Sequence, residues 1–588
     1  MKKLDWALMG FLSLTLWNGL AAATLPIPTA QQLAWQRHEL IAFAHFGMNT
    51  FTDREWGDGK EDPRLFNPTD LDARQWAAVL HEAGVKLLIL TAKHHDGFCL
   101  WPSRFTEHSV KNSPWREGKG DVVREVVDAL REKQIRVGLY LSPWDRNQPT
   151  YGDSPKYNEY FRNQLRELLT NYGTVDEVWF DGACGESPNG KRQEYDWASY
   201  YALIRELQPK ALIAISGPDI RWVGNESGVA RENESSVMQR DGQPVWHPAE
   251  CDVSIRPGWF YHQSEDTKVK SLANLVDIYF KSVGRNSVLL LNIPPDRRGR
   301  IAEADVTRLR ELRQFVDALY TTNLAKTAEV NVSGDLAASK NVKGLMDGDP
   351  TTSWSPNLNQ QTATLNFRLD HPRTFNTARI QEDIALGERV QSYHLQVFEG
   401  SKWRTLSSGT VIGQKQLRRF PTVTAQQVRL LIDKANGAPV ISEFGLYLNP
   451  LTPVGSGAAT ANGSATASDV HPGGTQFGAD KAVDDDPETR WATSDGVRQA
   501  WLEVELAKPT MISRLRIKEL APRITKFQLQ YRTAVNEDWK VAHEGTNVGT
   551  DYTSAFQSVR AGYVRLNILE ATDSPTLWEF QVFGELPR

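Results

Sequence analysis

The strongest constraint on the fold is an alternation of strand-like and helix-like segments from about residue 38 to 320. Six short apolar runs mark it: LIAFAHFGMNTF (40–51), VKLLILTAKHHDGF (85–98), IRVGLYLSPW (135–144), VDEVWFDGA (175–183), ALIAISGP (211–218) and SVLLLNIPPD (287–296). Runs with so little polar alternation suit strands covered on both faces, as in a parallel sheet. Between them lie the helical patterns LDARQWAAVLHEAG, DVVREVVDALREKQ, YNEYFRNQLRELLTNY and YDWASYYALIRELQ, with Asp70 and Asp121 placed as N-caps. Such a series folds as a doubly wound sheet or as a (β/α)8 barrel. Polar groups at the strand ends favour the barrel: His45 after IAFA, Lys93-His94-His95-Asp96 after LLILT, and Trp179 with Asp181 after DEV. No glycine-rich phosphate loop follows the first strand, which counts against a dinucleotide fold.

After Tyr320 the helical period disappears, and short alternating strands with turn residues take over. The sequence then repeats itself. DGDPTTSW (347–354) recurs as DDDPETRW (484–491), ATLNFRL (363–369) as AWLEVEL (500–506), and PVISEFGLY (439–447) as PTLWEFQVF (575–583), all at an offset close to 137. Two copies of short strands imply two β-sandwich modules. The expected organisation is an export signal over 1–23, a barrel domain over 24–323 and a sandwich over 324–450. A Gly/Ala/Ser/Thr-rich linker with an incoming strand covers 451–467, and a second sandwich covers 468–588.

The leader MKKLDWALMGFLSLTLWNGLAAA has a basic start at Lys2 and Lys3, an apolar stretch from Trp6 to Leu20 and small residues at 21–23. That is the pattern of a cleaved secretory signal, so the chain is expected to be periplasmic or secreted, with no stable membrane span. A net charge of -5 argues against a nucleic-acid partner. The three cysteines, Cys99, Cys184 and Cys251, make no disulfide framework; one bridge and three free thiols are equally compatible. They also lack the short spacing of a zinc site. The 19 Trp supply planar rings that stack on sugars or fill cores.

Among the carboxylates, Asp181 follows a strand and precedes Gly182-Ala183, which puts it at the barrel mouth; a capping or turn role fits the same local sequence. Glu226, in GPDIRWVGNESG, lies beside the apolar Trp222 and Val223, a setting that raises a carboxyl pKa towards that of a general acid. Glu186, Glu232, Glu234 and Glu250 also fall in loop-like sequence. Two carboxyl groups on neighbouring strand ends suggest glycoside hydrolysis, with retention when they stand roughly 5–5.5 Å apart. His45, His94 and His95 suit sugar hydroxyls. A metal is disfavoured, because adjacent residues of an extended strand point to opposite faces. Trp56, Trp179, Trp222, Trp246 and Trp259 are candidates for an aromatic wall.

Taken together, HFGMNTF, KHHDGF, GLYLSPW, WFDGA and RWVGNE resemble the α-L-fucosidases of glycoside hydrolase family 29 over about residues 30–320. The resemblance implies a retaining exo-fucosidase needing no catalytic cofactor. It places the nucleophile on Asp181 and fucose contacts on His45, His94, His95, Trp179 and Tyr140. RWVGNE resembles the linkage-restricted subgroup acting on α-1,3 and α-1,4 branches of Lewis-type glycans, which places the acid/base on Glu226. Trp222, Glu250, Arg256 and Trp259 are then candidates for substrate contacts, against the alternative of a structural salt bridge and a core Trp in ECDVSIRPGWFYH. The repeated modules resemble the discoidin, or factor 5/8 C-type, sandwich. There Asp347, Asp349, Asp484 and Asp486 are candidate oxygen ligands for a structural calcium, or simple turn formers. The implied partners are fucosylated oligosaccharides. A broader-specificity fucosidase and a non-catalytic glycan-binding scaffold are the competing readings.

Overall fold

Eight parallel strands form a nearly closed barrel. The computed structural model describes residues 25–185, 190–332, 342–449, 458–460, 463–484 and 489–584, so the leader and Asp486 lie outside the described residues. The barrel strands are β1 Leu40–Ala44, β2 Leu87–Lys93, β3 Arg136–Leu141, β4 Glu177–Phe180, β5 Leu212–Ile215 and β6 Arg221–Trp222. An antiparallel hairpin, β7 Val237–Arg240 and β8 Gln243–Trp246, precedes the last two, β9 Ala249–Ser254 and β10 Val288–Asn292. The order round the wall is β5-β4-β3-β2-β1-β10-β9-β6, and an isolated bridge between Ala214 and Ile220 spans the remaining seam.

The two faces of each strand explain the apolar runs. Ile41 and Phe43, Leu87 and Ile89, Tyr140, Trp179, Leu212 and Ala214, and Val288 and Leu290 point inward and pack as one cluster with Trp35. The alternate residues, among them Ala42, Leu88, Leu90, Leu139, Phe180 and Leu291, join the surrounding helices in a second cluster. Burial on both faces removes any need for polar alternation.

The helices begin where local chemistry allows. Asp121 caps Val122–Glu132 by accepting the Arg124 N–H at 2.9 Å. Helix Ala73–Glu82 is capped by Asp72, which accepts the Gln75 N–H at 2.9 Å, and not by Asp70, whose carboxylate instead pairs with Arg300 at 3.0 Å. Among the described residues no helix is long and apolar enough to cross a membrane. All three cysteines are free thiols.

Two all-β sandwiches follow. Ala363–Glu382 in the first and Ala500–Glu519 in the second are equivalent long strands, each paired with two or more partners and each interrupted by register shifts. Trp354 and Trp491, which end the repeated Asp-rich motifs, are fully buried. The Asp side chains before them make turns. Asp347 accepts from the Asp349 N–H and the Thr352 hydroxyl, Asp349 from Thr351, and Asp484 from Thr489. Among the described residues these Asp side chains are engaged in local turn hydrogen bonds, which is the turn-forming role.

The first sandwich is bonded to the barrel: Lys415 pairs with Glu39 at 2.5 Å and Arg419 with Asp277 at 2.6 Å. The Tyr320 and Tyr447 rings meet edge-on at 5.3 Å beneath the Arg379 guanidinium.

Candidate active site

Strand alternation places Glu177, Trp179 and Asp181 on the inward face of β4, with Asp181 just past its C-terminal end. The Asp181 Oδ1 accepts the Ala183 N–H at 2.6 Å, and Oδ2 accepts the Tyr140 hydroxyl at 3.1 Å. His95 Nε2 stands 4.0 Å from Oδ2, and the side chain keeps 26% exposure. Burial raises the Asp181 pKa, while the two hydrogen bonds act against that rise. Removing the phenol in Tyr140→Phe is therefore expected to move the acidic limb of the kcat/KM–pH profile to higher pH. An unmoved limb would detach Tyr140 from the titrating carboxylate.

The three histidines present neutral rings. Asn292 Nδ2 donates to the Ser254 hydroxyl at 2.9 Å and the Trp259 carbonyl at 2.8 Å, so its Oδ1 is the atom that accepts from His45 Nδ1–H at 2.8 Å. His45 Nε2 is left as an acceptor. Asn49 donates to His94 Nδ1 at 3.4 Å, which leaves the His94 proton on Nε2. The Ser142 hydroxyl is committed to the Trp144 carbonyl at 2.7 Å, so its oxygen receives His95 Nδ1–H at 2.8 Å. Together the rings offer one donor and two acceptors, a complement to hydroxyl groups. Burial holds His45 and His95 down to about 3, and His94 well below its ordinary value.

The unfolded chain binds protons at these rings below about pH 6.5 and the folded chain does not, so their contribution is complete above 6.5 and lost on acidification. Relative to His45→Gln, the wild-type protein should lose up to ~1.4 kcal/mol of its stability difference per pH unit below 6.5. Denaturant titrations at pH 7 and pH 5 measure this. A constant difference between the two proteins would contradict it.

The expectation that His94 and His95 face opposite ways is corrected. Strand β2 ends at Lys93, and the two rings lie 4.0 Å apart, tilted by 37°. Lys93 is fully buried on Asp145 at 2.8 Å and Gln164 at 2.9 Å, which anchors the strand end below them. Phe43, Tyr140 and Trp179 pave the floor: Tyr140 stacks on Trp179 at 5.0 Å, and Phe43 meets Trp179 edge-on at 4.9 Å.

Glu226 lies in the loop after β6, one strand removed from β4 round the barrel, and is exposed, not enclosed as the flanking Trp222 and Val223 suggest. Trp222 itself is 41% exposed. The Glu226 Oε2 accepts Trp259 Nε1–H at 3.3 Å, and the Trp259 ring lies 5.2 Å from His45. His45 in turn lies 6.1 Å from Tyr140, the donor to Asp181. A continuous chain of rings thus joins the two carboxylates across one mouth. Both raise the pKa of Asp252 beneath them, after burial and Glu250.

Two candidate contacts are corrected. Glu250 is fully buried inside the barrel on β9, where it accepts Trp179 Nε1–H at 2.8 Å. With Glu177 and Asp252 it forms a buried carboxyl group cluster whose pKa values burial pushes up. Arg256 is fully buried between Asp305 at 2.8 Å and Asp266 at 3.0 Å, so it cannot reach a sugar. Trp246 likewise leaves the aromatic wall: it is buried and donates to Gln36 at 2.8 Å.

Sequence reasoning missed Asn292, Asn49 and Ser142, which set the histidine tautomers. It also missed Glu55, whose carboxylate accepts the Trp259 and Phe260 N–H groups at 2.8 and 3.2 Å. Asn292 carried a signal, being a polar residue at the C-terminal end of an apolar strand. Trp56, 56% exposed and 5.7 Å from His95, adds a ring to the rim.

Two carboxyl groups at one mouth, with neutral imidazoles between them and an aromatic floor, are the kinds of group that acetal cleavage uses. Comparisons with known proteins agree. Residues 30–319 match the α-L-fucosidase family model, and 328–444 and 464–580 match the F5/8 type C domain. α-L-Fucosidase 1 of Arabidopsis thaliana is 44% identical over 449 residues, 72% of this chain and 88% of that protein. The crystal structure of a glycoside hydrolase family 29 member from an unknown rumen bacterium superposes with a TM-score of 0.66 at 35% identity, covering 96% of this chain and all of the other. A Ruminococcus gnavus family 29 fucosidase in complex with fucose gives 0.68 at 32% identity, over 73% and 96% of the two chains.

Proposed function

The chain belongs to the α-L-fucosidase family of glycoside hydrolases, and from that premise we propose that it releases terminal fucose, with retention of configuration, from α-1,3 and α-1,4 branches of Lewis-type glycans. Asp181 attacks the anomeric carbon and forms a fucosyl–enzyme ester as the glycosidic C–O bond breaks. Glu226 gives its proton to the departing oxygen, then takes one from the water that hydrolyses the ester.

The observation that supports the reading is the pair of carboxylates after β4 and β6 at one barrel mouth, Asp181 held by Tyr140 and Ala183, Glu226 by Trp259. His45, His94 and His95 supply a donor and two acceptors for the sugar hydroxyls, and Trp179 with Tyr140 supplies the floor. The linkage preference rests on the RWVGNE segment that carries Trp222 and Glu226. The leader over 1–23 supports action outside the cytoplasm, and the intact mass of the mature protein tests its removal.

Fucose release from defined oligosaccharides differing only in linkage tests the specificity. Rapid release from α-1,3 and α-1,4 trisaccharides, with α-1,2 and α-1,6 isomers turned over at least about tenfold more slowly, is the expected result. Comparable rates on all four would assign the broader specificity instead.

A further inference from the structure

The loop that carries Glu226 is closed at its base and gripped from outside by the first sandwich. Arg221, on β6, pairs with the buried Glu234 and donates to the Ser235 carbonyl at 2.8 Å, which ties the two ends of the loop together. At the tip, Asn225 Oδ1 accepts the Ser227 N–H at 3.1 Å, and Asn225 Nδ2 donates to the Val229 carbonyl at 2.8 Å. The tip is therefore braced within itself, and its place over the barrel depends on the base.

That base is held by Glu388 of the sandwich. Its Oε1 accepts the Ser236 N–H at 2.9 Å and Asn286 Nδ2 at 2.6 Å, and its Oε2 accepts the Ser235 hydroxyl at 2.6 Å. Asn286 also donates to the Glu234 carbonyl at 3.0 Å and accepts the Gln414 N–H of the sandwich at 2.7 Å. A second tie runs from the Thr410 N–H to Asn233 Oδ1 at 2.9 Å. Glu226 itself is exposed and held, among the described residues, by a single 3.3 Å hydrogen bond. An acid that must meet a leaving oxygen within hydrogen-bond reach takes its position from its backbone in such a case.

The geometry points to Glu388 as a positioning residue for acid catalysis, which makes the first sandwich a working part of the active site and not only a spacer. This rests on the reading of Glu226 as the acid/base. A shift of about 1 Å in a catalytic group costs on the order of 10²-fold, and that loss falls on the step needing the proton. A fucoside with a poor leaving group feels it; fucosyl fluoride, whose leaving group departs without full protonation, feels it little.

The test compares kcat/KM for an α-1,3/1,4-fucosylated trisaccharide and for fucosyl fluoride, using the full-length chain. Glu388→Ala should lose roughly 10- to 100-fold on the trisaccharide and less than about threefold on the fluoride. Glu388→Gln, which keeps an acceptor for Ser236 and Asn286 and can donate to Ser235, should recover most of the loss. Ser235→Ala, a milder change if Glu388→Ala does not fold, should show a smaller loss with the same split. Glu226→Ala serves as the control and should show the split more strongly. Equal losses of the Glu388 and Ser235 variants on both substrates, or none on either, alongside a split in Glu226→Ala, would overturn the role of Glu388 alone. No split in Glu226→Ala would overturn the acid/base assignment and this inference with it.

Discussion

Asp181→Ala is expected to lose on the order of 10⁴-fold or more in kcat on any fucoside while folding as the wild type does. The loss is large because, in the proposed mechanism, Asp181 is the group that forms the ester. The fold should tolerate the change. Burial raises the Asp181 pKa, so the ionised side chain is held at a cost to the folded state, and its two donors lie at a partly open mouth. Azide offers a second readout. In Asp181→Ala, azide attacks from the side the carboxylate occupied and gives the inverted β-fucosyl azide. In Glu226→Ala, azide attacks the fucosyl–enzyme and gives the α-anomer. A retained product from the Asp181 variant would exchange the two assignments.

The largest expected effect on stability is at Arg256. Its guanidinium and the Asp305 carboxylate are both without solvent exposure, 2.8 Å apart. Arg256→Ala leaves Asp305 buried without its cation, which costs about 3–5 kcal/mol. Replacing both with apolar residues of similar volume should cost much less, because neither charge is then stranded. Denaturant titration of Arg256→Ala and of the double variant checks this. For the fraction that remains folded, KM for the trisaccharide should be unchanged. An Arg256→Ala protein of wild-type stability with a raised KM would return the residue to the substrate site.

How much could be read from the amino acids alone depended on whether burial and polarity agreed. LLILT and VLLLN read as strands because both their faces are covered by apolar neighbours. Strand β9 did not, because Glu250, Asp252 and Ser254 alternate with Cys251 and Val253 and give a polar impression; in the barrel Glu250 accepts a Trp N–H, and burial pushes the carboxyl pKa values up. Strand β6, two residues long, carries too short a pattern to show. The position of Asp181 just past a strand end was legible because WFDGA couples strand parity to an immediate turn. For Glu226, the flanking Trp222 and Val223 suggested an enclosure that the fold does not build, since Trp222 turns to solvent. The pairing of His94 with His95 was hidden by the assumption that the strand runs through them. The histidine tautomers depend on Asn292, Asn49 and Ser142, which come from three different segments and meet only in the folded chain.

In the proposed mechanism Asp181 forms a covalent bond to the sugar. A 2-deoxy-2-fluoro-fucosyl fluoride reacts through its fluoride leaving group, while the 2-fluorine slows hydrolysis of the ester so that the adduct accumulates. Mass spectrometry of a peptic digest should then find the fluoro-sugar on the peptide containing Asp181 and nowhere else. An adduct on a different carboxylate, or no adduct from an enzyme that inverts the anomeric centre by NMR, would contradict the account.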